Sequence, residues 1–308
     1  MDDDPWRLTA KANALRIRAA MIRAIRSFFL DQEFLEVETP VRIPAPAPES
    51  HIDPVTSDGW FLQTSPELCM KRLLAAGYPK IFQICRCFRA GERGDRHLPE
   101  FTLLEWYRAG SDYRDLMEDC EGLIARVAAD LGLGGAVTWQ GREIDLAPGW
   151  ERLTVREAFA RYASLTVEEA LGRGKFDETM AFEIEPHLGR ERPLFLYEYP
   201  ASQAALARVK AADRSVAERF ELYIASLELA NAFSELTDAT EQRRRFEEVS
   251  RDRLRNNCPV TPMPEPFLAA LSRMPASAGI ALGVDRLAMI MADQAGIDAV
   301  VAFPPESL

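Results

Sequence analysis

The sequence lacks the features that mark membrane-spanning, secreted and zinc-binding proteins. No apolar run approaches the ~20 residues needed to cross a bilayer, and residues 1–4 (MDDD) are acidic where a signal peptide is basic. Three scattered histidines and five cysteines without paired spacing do not form the ligand pattern of a zinc site. We therefore expect a cytoplasmic protein without membrane contact, whose cysteines are reduced thiols.

Positive charge is scarce overall but clustered locally. The chain has 37 Lys and Arg against 48 Asp and Glu, a formal net charge of −11, which gives no global attraction for a polyanion such as tRNA. Two arginine clusters stand out, comprising Arg86, Arg89, Arg93 and Arg96, and later Arg243, Arg244, Arg245, Arg251, Arg253 and Arg255. The later cluster is more typical of a solvated helix face, and a docking surface for a protein partner is the alternative.

Two segments nearly two hundred residues apart suit a bound nucleotide. The first is an apolar strand from Lys80 to Arg89, a polar loop carrying Arg93, Arg96 and His97, and a returning strand from Glu100 to Trp106. Such a hairpin holds guanidinium groups near a polyphosphate and offers Phe101 as a flat surface for a base. Taken alone, an arginine at a strand end is more often part of a surface ion pair.

The second segment lies near the end of the chain. Residues 279–287 form a small-residue strand that turns at Gly283 into an apolar helix bearing Arg286 in its first turn. A helix start with a closely approaching backbone and an arginine suits a nucleotide anion. A glycine-containing strand followed by a helix is nevertheless common in α/β proteins. The order of all the segments along the chain must therefore distinguish a nucleotide site from an ordinary strand and helix.

That order resembles the catalytic domain of class II aminoacyl-tRNA synthetases. Residues 34–40 (FLEVETP) look like the first motif of the class, and 64–67 (TSPE) with 70–74 (MKRLL) look like the amino-acid-binding loop of the lysine subgroup. Further matching segments are 99–107 (PEFTLLEWY), 228–231 (ELAN) and 283–287 (GVDRL). The likeness covers almost all of residues 7–303. It extends to lysyl-tRNA synthetase paralogues that attach β-lysine to translation elongation factor P, because residues 200–207 (PASQAALA) and Ala281 favour them over true synthetases.

The resemblance implies an α+β fold, an antiparallel sheet flanked by helices, in a single catalytic domain over residues 1–308. No anticodon-binding domain is expected, so anticodon reading of tRNA is not expected either. Apolar residues at helical spacing predict an amphipathic helix over 7–30, leading into a strand over Glu36 to Thr39. In the family these two elements form a homodimer interface, although a helix that only covers the sheet fits the periodicity equally well.

Other segments carry expectations of their own. Residues 113–131 should be helical, residues 139–192 should form short helices, and the proline-rich stretch Pro40 to Pro54 should be a loop lying over the substrate. Helix propensity favours a helix over Val216 to Leu236. The resemblance instead implies two strands of the catalytic sheet from Arg219 onward, and we follow the resemblance.

The implied reaction is ATP-dependent adenylation of (R)-β-lysine or lysine, with release of diphosphate, followed by transfer to a lysine of elongation factor P and release of AMP. One alternative is a stand-alone enzyme, similar to lysyl-tRNA synthetase, that activates lysine for tRNA or another amine. Another is a catalytically silent paralogue that serves as a binding subunit. Retention of Arg89, Glu228, Glu235 and Arg286 argues against a silent subunit.

The resemblance also implies roles for individual residues. Arg89 and Arg286 are the expected catalytic residues. The expected contacts to ATP are Arg89, Glu92, His97, Phe101, Glu228, Leu229, Gly283 and Arg286. The expected contacts to the amino acid are Ser65, Pro66, Glu67, Tyr107, Glu235 and Ala281, with Ser65 and Glu67 at the amino end and Tyr107 and Glu235 at the distal ammonium. Mg²⁺ is expected on Glu228 and Glu235, because carboxylates are suitable hard ligands.

Three positions depart from the family pattern: Gly91, Leu98 and Ala232. Geometry adds a further expectation, since Glu228 and Glu235 are seven positions apart and would point to opposite faces of a regular strand. We therefore expect an irregularity between Asn231 and Ser234. A smooth ladder there would remove Glu235 from the metal site.

Overall fold

The computed structural model describes residues 5–308, and the side chains from residue 8 onward, and its centre is an eight-stranded sheet. Within these residues the strands are β1 (Leu35–Glu36), β2 (Arg42–Ile43), β3 (Thr56–Ser57), β4 (Trp60–Leu62), β5 (Lys80–Phe88), β6 (Glu100–Ala109), β7 (Ala136–Trp139), β8 (Arg142–Asp145), β9 (Glu151–Thr154), β10 (Leu194–Tyr197), β11 (Arg219–Ile224), β12 (Leu227–Ser234) and β13 (Ser277–Gly283). The large sheet has the order β1-β5-β6-β13-β12-β11-β10-β9. All neighbouring strands are antiparallel except the two edge pairs, β1 with β5 and β9 with β10.

Helices cover the sheet and its ends. In the described part of the chain they are α1 (Pro5–Ala10), α2 (Ala12–Asp31), α3 (Glu67–Ala75), α4 (Tyr113–Asp130), α5 (Val155–Tyr162), α6 (Val167–Gly172), α7 (Phe176–Thr179), α8 (Ala239–Arg255), α9 (Glu265–Leu271) and α10 (Val284–Met291). A capping box starts α4. The Asp112 side chain accepts a hydrogen bond from the Arg114 backbone N–H at 2.7 Å, and the Asp115 carboxylate accepts one from the Asp112 backbone N–H.

One face of the sheet packs on α2, α4 and α10 and forms the main core. The buried apolar residues of α2 recur at helical spacing, and among them Phe29 stacks on Phe82 of β5 with ring centroids 4.8 Å apart. The ring centroid of Trp106 in β6 lies 5.1 Å from that of Phe29. Because side chains alternate along a strand, even-numbered residues of β5 and β6 fill this core and odd-numbered ones face the opposite side. The functional residues lie on that opposite face.

The predicted α+β class is confirmed, and so are the principal elements. The arginine hairpin is β5 and β6, the glycine strand and its helix are β13 and α10, and the segment from Arg219 onward forms strands β11 and β12 rather than a helix. The helix over 113–131 is α4. The helix over 7–30 is present as α1 and α2, which are separated at Lys11.

Two expectations about secondary structure were wrong. The strand predicted over Glu36 to Thr39 is only Leu35–Glu36, because pairing with β5 stops where the chain turns into the proline-rich loop. Residues 139–192 contain strands β8 and β9 besides short helices, and β9 extends the main sheet by pairing with β10. Hydrophobic spacing alone did not separate these short strands from helical turns.

The proline-rich loop is fixed by an arginine of α8. The Arg253 guanidinium donates to the carbonyl of Glu49 at 2.9 Å and, at longer range, to those of Ser50 and Ile52, and it also pairs with Asp53. A buried guanidinium with these acceptors holds the loop against the body of the protein. None of the helices in the described part of the chain combines the length and the hydropathy that a bilayer span requires.

Candidate active site

The site lies on the face of the sheet to which the odd-numbered residues of β5 and β6 point. Cross-strand pairing places Tyr107 opposite Gly279 and Glu105 opposite Ala281, and Ala281 is in turn opposite Asn231 of β12. These residues belong to three adjacent strands, so one surface collects residues from segments far apart in sequence. Helix α3 borders it through residues 64–66, the predicted amino-acid-binding loop that precedes Glu67.

The strand irregularity exists, but not at the predicted place. The ladder between β12 and β13 is regular from Ala230 to Ser234, so the expected irregularity between Asn231 and Ser234 was wrong. Instead, the register between β11 and β12 shifts beside Leu229, because Tyr223 pairs with Glu228 whereas Leu222 pairs with Ala230. One extra residue reverses the alternation of side chains. Glu228, Asn231 and Glu235 therefore point to the same face.

Glu228 and Glu235 nevertheless have different partners. The Glu228 carboxylate lies 3.4 Å from the Arg286 guanidinium, while Glu235 forms an ion pair with Lys71 of α3. Because the bulge at Leu229 turns both carboxylates to one face, it is the ion pair with Lys71, and not the regular β12–β13 ladder, that sets Glu235 apart from Glu228. A second buried carboxyl, Glu221, has its pKa raised by burial and then by the Glu228 charge. Two neighbouring carboxylates are a donor set that fits Mg²⁺.

Arg286 joins the two segments that the sequence predicts to bind a nucleotide. Its guanidinium donates to the Glu228 carbonyl at 2.6 Å and lies 2.6 Å from His97 Nε2 in the hairpin loop. Burial and the Arg286 charge lower the pKa of His97, so the neutral ring accepts this hydrogen bond. At the helix start, buried Asp285 accepts from the Thr102 N–H at 2.6 Å and pairs with Arg18. These contacts lock α10 against β6 and fix the direction of Arg286.

Arg89 directly follows β5 and lies on the same side of the hairpin as Phe101. Its guanidinium is 4.9 Å from the centre of the Phe101 ring, a cation–π contact, and 3.7 Å from Glu92. The Arg89 Nε is buried without a hydrogen-bond partner among the described residues. Gly91 has φ +77°, so the departure from the family pattern permits the left-handed turn that brings Glu92 beside Arg89.

The predicted amino-acid-binding residues meet around one buried carboxylate, Glu105. The Ser65 hydroxyl donates to Glu105 Oε1 at 2.5 Å and the Tyr107 hydroxyl donates to Oε2 at 2.7 Å. The Glu67 N–H donates to Ser65 Oγ at 3.0 Å, which orients the start of α3. Glu235 is fully buried nearby, and its Oε1 has no hydrogen-bond partner in the part of the chain that the structure describes.

Burial changes the acidity of this pocket. Burial and, to a smaller extent, the Glu67 charge raise the pKa of Glu105 to about 8, while the hydrogen bonds from Ser65 and Tyr107 oppose the shift. Burial likewise raises the pKa of Glu235 to about 8 against the opposing Lys71 charge. Desolvation is the largest cause for both groups. Both carboxyls therefore gain from a cationic ligand that enters the pocket.

Gly279 is required by close approach. A Cβ at this position would lie 2.2 Å from Tyr107 Cε1 and 2.3 Å from Glu235 Oε1, so only glycine leaves room for both side chains. At Gly283 a Cβ would lie in ordinary van der Waals contact, 3.8 Å from both Arg286 Cδ and the Leu229 carbonyl oxygen, so close packing does not by itself require glycine there.

Sequence reasoning missed three residues of the site, namely Glu105, Lys71 and Glu49. Glu105 was signalled by a charge within the apolar run LLEWY, and Lys71 by a lysine within the otherwise apolar face of α3. Glu49 lies in the proline-rich loop, and its pKa is raised to about 7 by burial, with Arg89 opposing and Glu67 and Glu92 adding to the shift. The expectation that this loop lies over the site is supported by those neighbours.

Several predicted basic groups lie elsewhere. Arg93 pairs with Asp298 and Glu306 instead of facing a polyphosphate, and Arg86 is exposed on the even-numbered face. The six arginines of α8 all bond to nearby carboxylates or carbonyls, so this face presents little unpaired positive charge. A cleft of about 750 Å³, lined in part by Arg142 and His187, contains none of the predicted site residues.

A mostly antiparallel sheet with an arginine hairpin, a glycine strand and an arginine-bearing helix is the catalytic core of a class II aminoacyl-tRNA synthetase. Residues 5–307 match the family of class II tRNA synthetases of the D, K and N type, and the chain belongs to this family. It is 42% identical to the elongation factor P–(R)-β-lysine ligase of Pectobacterium carotovorum, over 98% of both chains. The ligase of that name from Edwardsiella ictaluri is 41% identical over 97% of both chains, and that of Enterobacter sp. is 40% identical over 97% of both.

Proposed function

We propose that this protein is an ATP-dependent ligase that adenylates (R)-β-lysine or lysine and transfers it to a lysine side chain of elongation factor P. The observation that carries the proposal is the pocket around Glu105 and Glu235, where a buried carboxylate oxygen of Glu235 has no partner among the described residues. An unpaired buried carboxylate is costly unless a cation meets it. The curated relatives, about 40% identical over nearly the whole chain, support the acceptor.

Different residues of the pocket bind different groups of the amino acid. Glu235 Oε1 and the Glu105 carboxylate receive ammonium groups, Tyr107 and Ser65 orient Glu105, and Glu67 adds charge at the mouth of the pocket. Pro66 shapes the loop as the residue preceding α3. Ala281 lies opposite Glu105 and its methyl group forms part of the floor.

The nucleotide lies between the hairpin and α10. Arg286 and His97 border the outer phosphates, Phe101 faces the base, and the backbone at Leu229 and Gly283 lies close beneath. Arg89 binds the amino-acid carboxylate and the α-phosphate. The carboxylate oxygen then bonds to the α-phosphorus as the bond to the bridging oxygen of pyrophosphate breaks, and charge stabilisation by fixed guanidinium groups favours this step.

Mg²⁺ would be held by Glu228 with Glu221 behind it, an alternative to the expected pair of Glu228 and Glu235 that the ion pair of Glu235 with Lys71 favours. Glu228 is partly exposed, whereas Glu221 accepts hydrogen bonds from Tyr199 and Tyr223 and a charged one from Arg219. When bound, the ion neutralises phosphate charge as pyrophosphate leaves. The phenols and the guanidinium hold the Glu221 carboxylate in place.

We also propose a cytoplasmic homodimer formed through α2 and β1. Leu30 and Leu35 are 55% and 49% exposed at the junction of these elements, although both are large apolar side chains. Covering them with a second copy would remove apolar surface from water. Analytical ultracentrifugation should show a dimer that Leu35→Asp converts to monomer.

The test of function is ATP–pyrophosphate exchange followed by transfer. Arg89→Ala should lower exchange by at least roughly 10²–10³-fold, the usual cost of removing one donor to transition-state charge. Arg86→Ala is the matched control on the same strand, because Arg86 faces away from the site. Exchange near normal in Arg89→Ala would refute the assignment. Labelled β-lysine and lysine offered with purified elongation factor P or with tRNA then separate the ligase from a tRNA-charging enzyme.

A further inference from the structure

Lys71 is a buried cation inside the amino-acid pocket. Its side chain is 2% exposed, and its ammonium lies 2.5 Å from Glu67 Oε1, one helical turn earlier on α3, and in contact with Glu235 Oε2. The ammonium also lies 5.0 Å from the centre of the Phe233 ring. A lysine is almost never fully buried unless it is paired. The pairing here links two acids that come from different elements.

The formal charges of the pocket can be counted directly. When a cationic ligand has ionised all three carboxyls, Glu67, Glu105 and Glu235 contribute three negative charges and Lys71 contributes one positive charge, which leaves −2. A diamino acid carries two ammonium groups, and its carboxylate is directed to Arg89. We propose that Lys71 is a positioning residue that orients Glu67 and Glu235 and sets the pocket charge to match two ammonium groups. This inference rests on the proposed function and deepens it.

The orientation of Glu235 follows from the same contact. Lys71 contacts Oε2, and Oε1 is buried beside Tyr107 and Gly279 without a hydrogen-bond partner among the residues that the structure describes. By holding Glu235 Oε2, the Lys71 ammonium directs Oε1 toward the space where a substrate ammonium fits. Without Lys71 the Glu235 carboxylate would be free to rotate, and its charge would face Glu67 and Glu105 uncompensated.

The charge of Lys71 has a measurable signature. The groups that face Glu235 are Lys71 and Glu67 from α3 and Glu105 and Tyr107 from β6, and of these only Lys71 is cationic. Its positive charge lowers the pKa of Glu235 and so favours the ionised form that binds an ammonium. Loss of Lys71 should therefore weaken lysine binding most at low pH, because Glu235 then retains its proton.

Lys71→Met removes the charge and keeps the length of the side chain. At pH 7 we expect the KM for lysine in ATP–pyrophosphate exchange to rise at least about ten-fold, with kcat changed less, and the defect to narrow toward pH 9 as Glu235 ionises. Lys210→Met is the matched control, because Lys210 forms a lysine–glutamate pair with Glu198 outside the site. It should leave KM unchanged at every pH.

Two results would overturn the inference while the proposed function stands. One is an active wild type with an unchanged KM in Lys71→Met, and the other is a defect that is equal at pH 6.5 and pH 9, which indicates a purely structural role. An inactive wild type would instead contradict the proposed function.

A measurement on the unmodified chain covers the case in which Lys71→Met does not fold. The chain has five lysines, so the ammonium ¹⁵N resonance of Lys71 in labelled protein can be assigned by substituting the other four. We expect that resonance to shift on saturation with unlabelled lysine, because the carboxylates it contacts gain new partners. A resonance unaffected by saturating lysine, in protein active in exchange, would also overturn the inference.

Discussion

Acidification should weaken amino-acid binding much more than nucleotide binding. The pKa values of Glu105 and Glu235 are both raised to about 8 in the empty pocket, so each carboxyl holds a proton at pH 6. Ionising one of them at pH 6, two pH units below its pKa, costs about 2.7 kcal/mol. For each carboxyl that must be charged to receive an ammonium group, the dissociation constant of lysine should rise roughly 50-fold between pH 8 and pH 6.

The raised pKa values of these two carboxyls also make the stability of the ligand-free protein depend on pH. A carboxyl whose pKa is higher in the folded state than the usual 4.5 stabilises the fold while protonated, and this contribution is lost as pH rises from about 4.5 to about 8. Lysine should therefore raise the melting temperature more at pH 8.5 than at pH 6. Isothermal titration calorimetry in buffers of different ionisation enthalpy should detect proton release on binding at pH 7. A lysine affinity that is flat from pH 6 to pH 8, with no proton release, would refute this reasoning.

Three further predictions concern single residues. Gly279→Ala should lower the free energy of unfolding by about 1–3 kcal/mol and abolish lysine binding, because its methyl group overlaps Tyr107 and Glu235, whereas Gly283→Ala should keep the wild-type melting temperature. Ala281→Gly should shift the preference toward α-lysine by up to about 1–3 kcal/mol in relative kcat/KM, and an unchanged ratio of kcat/KM for the two isomers would contradict this. Arg253→Met should lower the free energy of unfolding by about 2–3 kcal/mol and speed amide hydrogen exchange in residues 49–53, and protection equal to wild type would show that the loop does not depend on this arginine.

Much of the fold followed from the order of motifs. Apolar spacing located α2 and α4, and the likeness to a known family overrode helix propensity for β11 and β12, where residues such as Ala230 and Glu228 favour a helix but pair in the sheet. Short strands such as β9 were not predicted, because four residues give too little periodicity. Their pairing depends on a strand forty residues away.

The sequence predicted which residues belong to the site better than it predicted which of them contact one another. Arg286 meets His97 and Glu228 across distances in sequence that only the sheet register brings together. The expected irregularity was needed to turn Glu228 and Glu235 to one face, yet its place at Leu229 depends on how β11 pairs with β12, which residue order does not show. Lys71 was missed because a lysine on a short helix is usually exposed, and its burial becomes visible only with its two partners in place.

The most direct test of the central claim is ATP–pyrophosphate exchange by Glu235→Gln with lysine at pH 8. Glutamine keeps the shape of Glu235 but removes the buried charge that is proposed to hold the substrate ammonium. We expect lysine-dependent kcat/KM to fall by at least about 100-fold, as for the loss of a buried, charge-assisted contact. The KM for ATP should change little. A variant that activates lysine as efficiently as the wild type would contradict the claim that this pocket binds the amino acid through its buried carboxylates.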